Sequence, residues 1–268
     1  MVSHQYLQDR QLAARLADAA DRITTARFTA TDLTVTSKPD RTPVTDADLA
    51  VEDAIRAILA DERPSDAIAG EERGGFDDAA KRGRTWVLDP IDGTKNFLRG
   101  VPVWATLIAL VVDGTPVVGM VSAPALGRRW WASEGDGAFA RTSEVRERPI
   151  SVSAVGALSD AYVSTTNVNT WSEYHSREAY LALQEACWEN RAFGDFWQHC
   201  LVAEGAIDLA AEPIVNPWDV APMQVIVTEA GGRFSDLSGV AAFDGGSALS
   251  SNGALHDAAL KVLASHEG

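Results

Sequence analysis

Cysteine is nearly missing from this chain. Cys187 and Cys200 are the only two in 268 residues, too few for a disulfide framework or a cysteine-ligated zinc site. Positive charge is also short. Lysine and arginine total 23 against 38 acids, a formal charge of −15, so no basic field exists to hold a nucleic-acid backbone or an anionic membrane surface. Neither nucleic acid nor membrane is expected as a partner. Long apolar runs are absent too. The most apolar stretch, residues 101–112, is broken by Pro102 and followed by Asp113-Gly114, well short of a bilayer span. The first residues lead into a charged helical pattern without a signal-peptide apolar segment, and the chain reads as cytoplasmic. There is no Walker loop, no nucleophile-elbow serine and no H-E-x-x-H pair, and His4, His175, His199, His256 and His266 show no ligand spacing. An acidic protein that handles anions would therefore need metal ions as intermediaries.

What is present is ordinary for a folded protein: 46% hydrophobic and 23% charged residues, enough to exclude global disorder. The length suits one large domain or two fused subdomains. Leu12, Leu16, Ala20, Ile23 and Arg27 recur at helical spacing. Val51, Ala54, Ile55, Ile58 and Leu59 mark a second helix, opened by Thr45-Asp46-Ala47-Asp48 in the pattern of a capping box. The intervening loop, 37–43, contains Pro39 and Pro43. From Thr85 the pattern turns to strands, at 86–88, 106–112, 116–121 and 129–132, with Asp113-Gly114 as a hairpin turn. After Pro149 the texture alternates. Strands are expected at 161–164, 207–211 and near 233–236, and helices at 176–189, 195–204, 218–230 and 256–264. This predicts two packed subdomains, 1–149 and 150–268. Gly135-Asp136-Gly137-Ala138-Phe139-Ala140 fits a loose dinucleotide pattern, but no helix follows it and a hairpin turn explains it better.

The chemistry concentrates in Trp86-Val87-Leu88-Asp89-Pro90-Ile91-Asp92-Gly93-Thr94. Two carboxylates three residues apart end an apolar strand in a turn containing proline and glycine. Asp89 and Asp92 could simply cap backbone amides there. The same residues also suit a hard cation, because Mg²⁺ takes a few carboxylate oxygens together with phosphate and water. Gly93 lets the backbone approach an anion closely, and Thr94 adds an amide and a hydroxyl where a short helix opens. Two further acidic sites accompany the turn. Gly70-Glu71-Glu72 reads alone as a solvated acidic loop, and Asp219 in Trp218-Asp219-Val220-Ala221 as a helix-dipole acid worth about 0.3–1 kcal/mol. Asp48 can likewise be read as completing its capping box.

Taken in order, Gly70-Glu71-Glu72, residues 86–94 and Trp218-Asp219-Val220-Ala221 resemble the inositol monophosphatase-like family. Lys38, Val44-Thr45-Asp46-Ala47-Asp48 and Ala230-Gly231-Gly232-Arg233 add support, so the resemblance covers nearly the whole chain. It implies an α/β (α+β) fold, the layered αβαβα sandwich shared with fructose-1,6-bisphosphatase, usually homodimeric, with metals where the subdomains meet. It implies that 1–149 carries most metal ligands and that 150–268 carries the last one together with the substrate-recognition residues. Glu71, Asp89, Asp92, Asp219 and the Ile91 carbonyl would be the ligands for two or three Mg²⁺ ions, with Mn²⁺ as a substitute and lithium as an inhibitor. Gly93 and Thr94 would bind phosphate, Asp48 would orient Thr94, and Glu71 with Thr94 would activate water for attack on a small phosphate monoester.

The alcohol side of that site is also implied by the resemblance. Residues 190–196 occupy the family's alcohol-recognition position, and inositol-preferring members tend to carry a small or hydroxylated residue where this chain has Asp195. Glu212 matches a family glutamate that touches substrate. Asp195 and Glu212, beside Asp92 and Asp219, would form an anionic end pocket that favours an ammonium group and repels a second phosphate. Arg191 is the lone local cation. For Asp195 a helix N-cap is the plain alternative. An inositol or sugar-phosphate phosphatase, and a non-catalytic sensor of metal and phosphate ester, are the competing functions.

Overall fold

The computed structural model describes residues 5–38, 42–76, 82–145 and 147–265. Residues 39–41 of the predicted loop, and His4 and His266, lie outside the described residues. The chain begins with α1 (Leu7–Arg27), the short hairpin β1 (Val35–Ser37) and β2 (Pro43–Thr45), then α2 (Asp46–Glu62). Next come β3 (Ala67–Gly70), β4 (Arg84–Asp92), α3 (Thr94–Leu98), β5 (Ala105–Val112), β6 (Thr115–Ala123), β7 (Arg128–Ser133), β8 (Gly137–Thr142) and β9 (Arg148–Ile150). The remainder is β10 (Tyr162–Thr165), α4 (Val168–Tyr174), α5 (Arg177–Ala186), β11 (Glu189–Arg191), α6 (Asp195–Ala203), β12 (Leu209–Glu212), α7 (Pro217–Glu229), β13 (Arg233–Ser235), β14 (Ala248–Ser251) and α8 (His256–Ala264).

Strands β3 to β9 form one sheet in sequence order, antiparallel except for the parallel β3–β4 pair. Alternation along β4 explains how it is covered. Trp86 and Leu88 face one way, into a core with Leu12 and Leu16 of α1 and Val51, Ile55 and Leu59 of α2. Val87 faces the other way, into a core with Phe196 and Cys200 of α6 and Val220, Met223 and Ile226 of α7. The second sheet runs β11-β10-β12-β14-β13. Its Ala210 meets Leu201 and Val202 of α6. Leu209 and Ala211 turn outward onto Trp171 of α4, Leu183 of α5 and Leu263 of α8. The layers are therefore helix, sheet, helix, sheet, helix, as expected, and the middle layer is α6 and α7.

The structure differs from the sequence reading in the second half. The helix predicted over 176–189 stops at Ala186, where Cys187 turns extended (φ −101°, ψ 153°), and residues 189–191 add β11 to the edge of β10. Strand β14 was not legible as a strand. It lies inside its sheet between β12 and β13, yet its sequence, Ala248-Leu249-Ser250-Ser251, follows Gly245-Gly246 and offers a single large apolar residue. The Gly135-Asp136-Gly137 segment does form the turn between β7 and β8. No helix among the described residues is long and apolar enough to cross a membrane.

Candidate active site

A cleft of about 420 Å³ opens where the end of β4 meets the N-termini of α6 and α7. It is lined by Glu71, Asp89, Ile91, Asp92, Gly93 and Thr94, with Asp195 and Asp219 from the second half of the chain. A β-bulge explains why two aspartates three apart can share it. Residues three apart on a regular strand point to opposite faces. Here Asp89 pairs with Leu107 and Asp92 with Ala105, so one extra residue is accommodated and the phase of alternation shifts. The Thr106 hydroxyl donates to the Pro90 carbonyl (2.8 Å) and pins the bulge. Gly93 follows at φ +84°, and a Cβ there would come 2.9 Å from the Val103 carbonyl oxygen. That position requires glycine.

The remaining acids are held by backbone groups at the ends of structural elements. Glu71 follows β3, and its amide donates to the Leu88 carbonyl (3.1 Å), which sets it beside Asp89. Asp48 and Asp219 both sit at the third position of a helix and close capping boxes. In each, one carboxylate oxygen caps: Asp48 Oδ2 accepts from the Thr45 amide (2.7 Å), and Asp219 Oδ2 from the Asn216 amide (2.8 Å). Capping and a role in the cleft are compatible, because a carboxylate has two oxygens. Asp92 Oδ2 accepts from the Phe196 amide (2.7 Å) in the first turn of α6, where the helix dipole favours an anion.

Burial and mutual repulsion raise these carboxyls. Burial, then Glu71, Asp92, Asp219 and Asp48, push Asp89 well above the usual carboxylate range. Asp92 is raised by burial and by Asp195 and Asp219, against the Phe196 amide. Burial lifts Asp219 to about 7, with Glu71 and Glu212 adding to it. It lifts Asp48 to about 6, against the hydrogen bonds from Thr45. Asp195 reaches about 6 through burial and Glu212.

Among the described residues, no group of three His, Cys, Asp or Glu side chains stands ready to hold a metal ion. A cation from the protein itself is present instead: Lys38 Nζ lies 2.7 Å from Glu71 Oε1 and 2.7 Å from Glu72 Oε1. Glu72 is raised to about 7, chiefly by burial. The donors nonetheless suit Mg²⁺. All are hard oxygens, Asp89 Oδ1 and Asp48 Oδ1 are buried without a hydrogen-bond partner, and such an ion needs only one or two carboxylates with water and phosphate completing its shell. A divalent cation would offset the repulsion that raises the cluster.

Two predicted placements are corrected. No hydrogen bond joins Asp48 to Thr94: the Thr94 hydroxyl donates to the Ile91 carbonyl (3.0 Å), and Asp48 Oδ2 is taken by the Thr45 amide and hydroxyl (2.7 and 2.5 Å). The capping box takes that one oxygen and leaves Oδ1 without a partner. Arg191 does not line the cleft. It ends the edge strand β11 with its guanidinium exposed and bonded to Glu189 (2.6 Å), its nearest acid in sequence. Asp195 is not an N-cap either, since Gly194 holds that position. The Asp195 backbone is left-handed (φ 48°), and its Oδ2 accepts from Asn96 Nδ2 (3.3 Å). Glu212 lies close enough to raise Asp92, Asp195 and Asp219 and is bonded to His199.

Sequence reading missed two supporting residues. Glu52 is fully buried and accepts from the Glu72 and Arg73 amides (2.8 and 3.1 Å), which shapes the turn carrying Glu71. A Cβ on Gly70 would collide with its carboxylate at 2.2 Å. The available signal was an acid beside Val51 on the apolar stripe of α2. For His199 the signal was its spacing of four from Asp195 on one helix.

The sequence matches the model of the inositol monophosphatase family over residues 5–267. The histidinol-phosphatase of Mycobacterium tuberculosis is 54% identical over 255 residues, covering 95% of this chain and 97% of that protein. The histidinol-phosphatase of Streptomyces coelicolor is 51% identical, covering 96% and 97%. Among solved structures, an inositol monophosphatase from Zymomonas mobilis superposes with a TM-score of 0.83 at 34% identity, covering 97% of this chain and 98% of that one. The five-layer fold, the carboxylates gathered at the end of β4 and a match along nearly the whole chain agree: this protein belongs to the inositol monophosphatase family.

Proposed function

We propose that the protein is a metal-dependent phosphate monoester hydrolase that converts L-histidinol phosphate and water to L-histidinol and phosphate. One observation carries the substrate choice: the cleft that holds the candidate metal ligands continues into an acidic end, with Asp195 in its lining and Glu212 near enough to raise it. Histidinol bears a primary ammonium, which such a pocket attracts, whereas a second phosphate would be repelled. The names of the two bacterial relatives point the same way.

Glu71, Asp89, the Ile91 carbonyl, Asp92 and Asp219 would hold Mg²⁺. When bound, Mg²⁺ neutralises phosphate charge and makes water acidic enough to become a nucleophile at neutral pH. The chain supplies the rest. Glu71 accepts the proton of the attacking water. The Gly93 and Thr94 amides bind phosphate oxygens at a turn whose shape the left-handed glycine fixes. Thr94, anchored on Ile91, keeps that turn in register with the metal ligands. The new bond forms between the water oxygen and phosphorus, and the phosphorus–alcohol bond breaks in line with it. No cysteine or histidine is among the described residues that line the cleft, and the transfer proposed is directly to water.

With this reading go two or three Mg²⁺ ions, replacement by Mn²⁺, inhibition by lithium, a cytoplasmic homodimer and a division into 1–149 and 150–268. The test is phosphate release from L-histidinol phosphate and inositol-1-phosphate side by side with saturating Mg²⁺. A strong preference for the first is the expected result. Preference for inositol-1-phosphate would overturn the role of the acidic end and leave the metal ligands standing, and release from neither would favour a sensor.

A further inference from the structure

His199 is fully buried in α6, and both of its ring nitrogens are engaged. Nε2 lies 2.8 Å from Glu212 Oε1, and Nδ1 lies 2.7 Å from Ser250 Oγ. A carboxylate can only accept, so Nε2 carries a proton, and in the neutral ring the Ser250 hydroxyl donates to Nδ1. The ring cannot turn without breaking both bonds, and Phe234 packs beside it with centroids 6.4 Å apart. Ser250 belongs to β14 and Glu212 ends the neighbouring β12. One imidazole thus ties α6 to two strands of the second sheet.

Glu212 needs such a tie. It is the last residue of its strand, and Asp92, Asp195 and Asp219 are all close enough to be raised or repelled by acids around them. Repulsion would move a free glutamate away from the cluster. The His199 N–H opposes that movement and engages Oε1, so Oε2 is the oxygen left for a ligand. Asp195 lies one helical turn earlier on α6, and the next amide, Phe196, binds Asp92. A single helix therefore sets the positions of three acids that would face the substrate.

We propose that His199 is a positioning residue for substrate choice: it holds the Glu212 carboxylate where an ammonium on the substrate alcohol meets it. The inference rests on the substrate reading above. The experiment is steady-state kinetics on L-histidinol phosphate and on β-glycerophosphate, which has a neutral alcohol, for the native enzyme and for His199→Phe, His199→Gln and Ser250→Ala. His199→Phe should raise KM for histidinol phosphate about tenfold or more, with a smaller change in kcat, and lower the kcat/KM ratio between the two esters by a similar factor. His199→Gln should restore most of that ratio, since its Nε2 can donate to Glu212. Ser250→Ala, which frees the ring at Nδ1, should fall between them, and it carries the test if His199→Phe does not fold. Equal losses on both esters, or a glutamine variant as poor as phenylalanine with a native-like melting temperature, would overturn the proposal. A native enzyme with no preference for histidinol phosphate would overturn the substrate reading and this inference together. A preference that survives every variant would overturn this inference alone.

Discussion

At the proposed phosphate end of the cleft, five candidate groups come from six consecutive residues: Asp89, the Ile91 carbonyl, Asp92, Gly93 and Thr94. At the other end, Asn96 of α3 and Asp195 of α6 line the cleft, with Glu212 of β12 close enough to raise Asp195 and bonded to His199 of α6, and these groups meet only through tertiary packing. The first end is shaped by short-range forces, namely a strand ladder, a one-residue bulge and a left-handed glycine. The second depends on how α6 sits between two sheets. A fold built this way can keep its hydrolytic chemistry while the alcohol it accepts changes with α6 and β12.

The sharpest test of that contrast is Asp92→Asn. Losing one ionised donor at the phosphate end should lower kcat/KM on the order of a thousandfold, because several kcal/mol of charge stabilisation are at stake. Phosphate-release assays should show the same loss on every ester. A loss confined to histidinol phosphate would break the comparison. Next in size is Asp195→Ala, which should cost histidinol phosphate about tenfold to a hundredfold and a neutral-alcohol ester far less. Asp195→Asn keeps a side chain that tolerates the left-handed backbone while removing the charge. If asparagine behaves as the native residue and alanine fails on both esters, Asp195 serves the backbone and not the substrate.

Stability against pH probes the repulsion that joins the two ends. Asp48 and Asp195 at about 6, and Asp219 at about 7, stand above their ordinary 3.8. Their folded forms bind protons more tightly than the unfolded chain. The stability they contribute is complete below about pH 4 and is lost as pH rises through 6 to 7. Without metal, the carboxylate cluster should thus lower the melting temperature at pH 8 relative to pH 5, and Mg²⁺ should raise it more at pH 8 than at pH 5. Melting curves in EDTA and in Mg²⁺ would check this, and a Mg²⁺ effect that does not grow with pH would detach the cluster from metal binding. The smallest effect belongs to Arg191→Ala. Its guanidinium pairs with Glu189 on the surface, so both esters should be turned over within about twofold of native.

Features governed by near neighbours are legible in the amino-acid sequence. The Thr45 capping box opens α2, Asp113-Gly114 turns the hairpin between β5 and β6, and α8 spans residues 256–264 as its periodicity predicts. The candidate metal ligands are legible for the same reason, since their chemistry resides in short motifs. Strand β14 is hidden because a strand buried among small residues needs no alternation of large and polar ones. For Asp48 the capping box read from the sequence is formed, whereas the bond to Thr94 that the resemblance implied is not, since Thr45 takes Oδ2 and Thr94 donates to Ile91. His199 looks like any core histidine until β12 and β14 bring Glu212 and Ser250 to its two nitrogens.

By itself, the sequence determined the family through the resemblance of its motifs, which implied the order of the layers and the acids that gather at the end of β4; capping, turn geometry and hydrophobic period, which act over a few residues, placed individual helices and hairpins. Only the tertiary structure decided that Asp48 Oδ1 and Asp89 Oδ1 are left without a partner, that Lys38 stands against Glu71, that Arg191 faces away and that one buried imidazole holds Glu212. Those outcomes depend on the charges and hydrogen-bonding groups that packing brings within a few ångströms from far along the chain, and no local pattern records them.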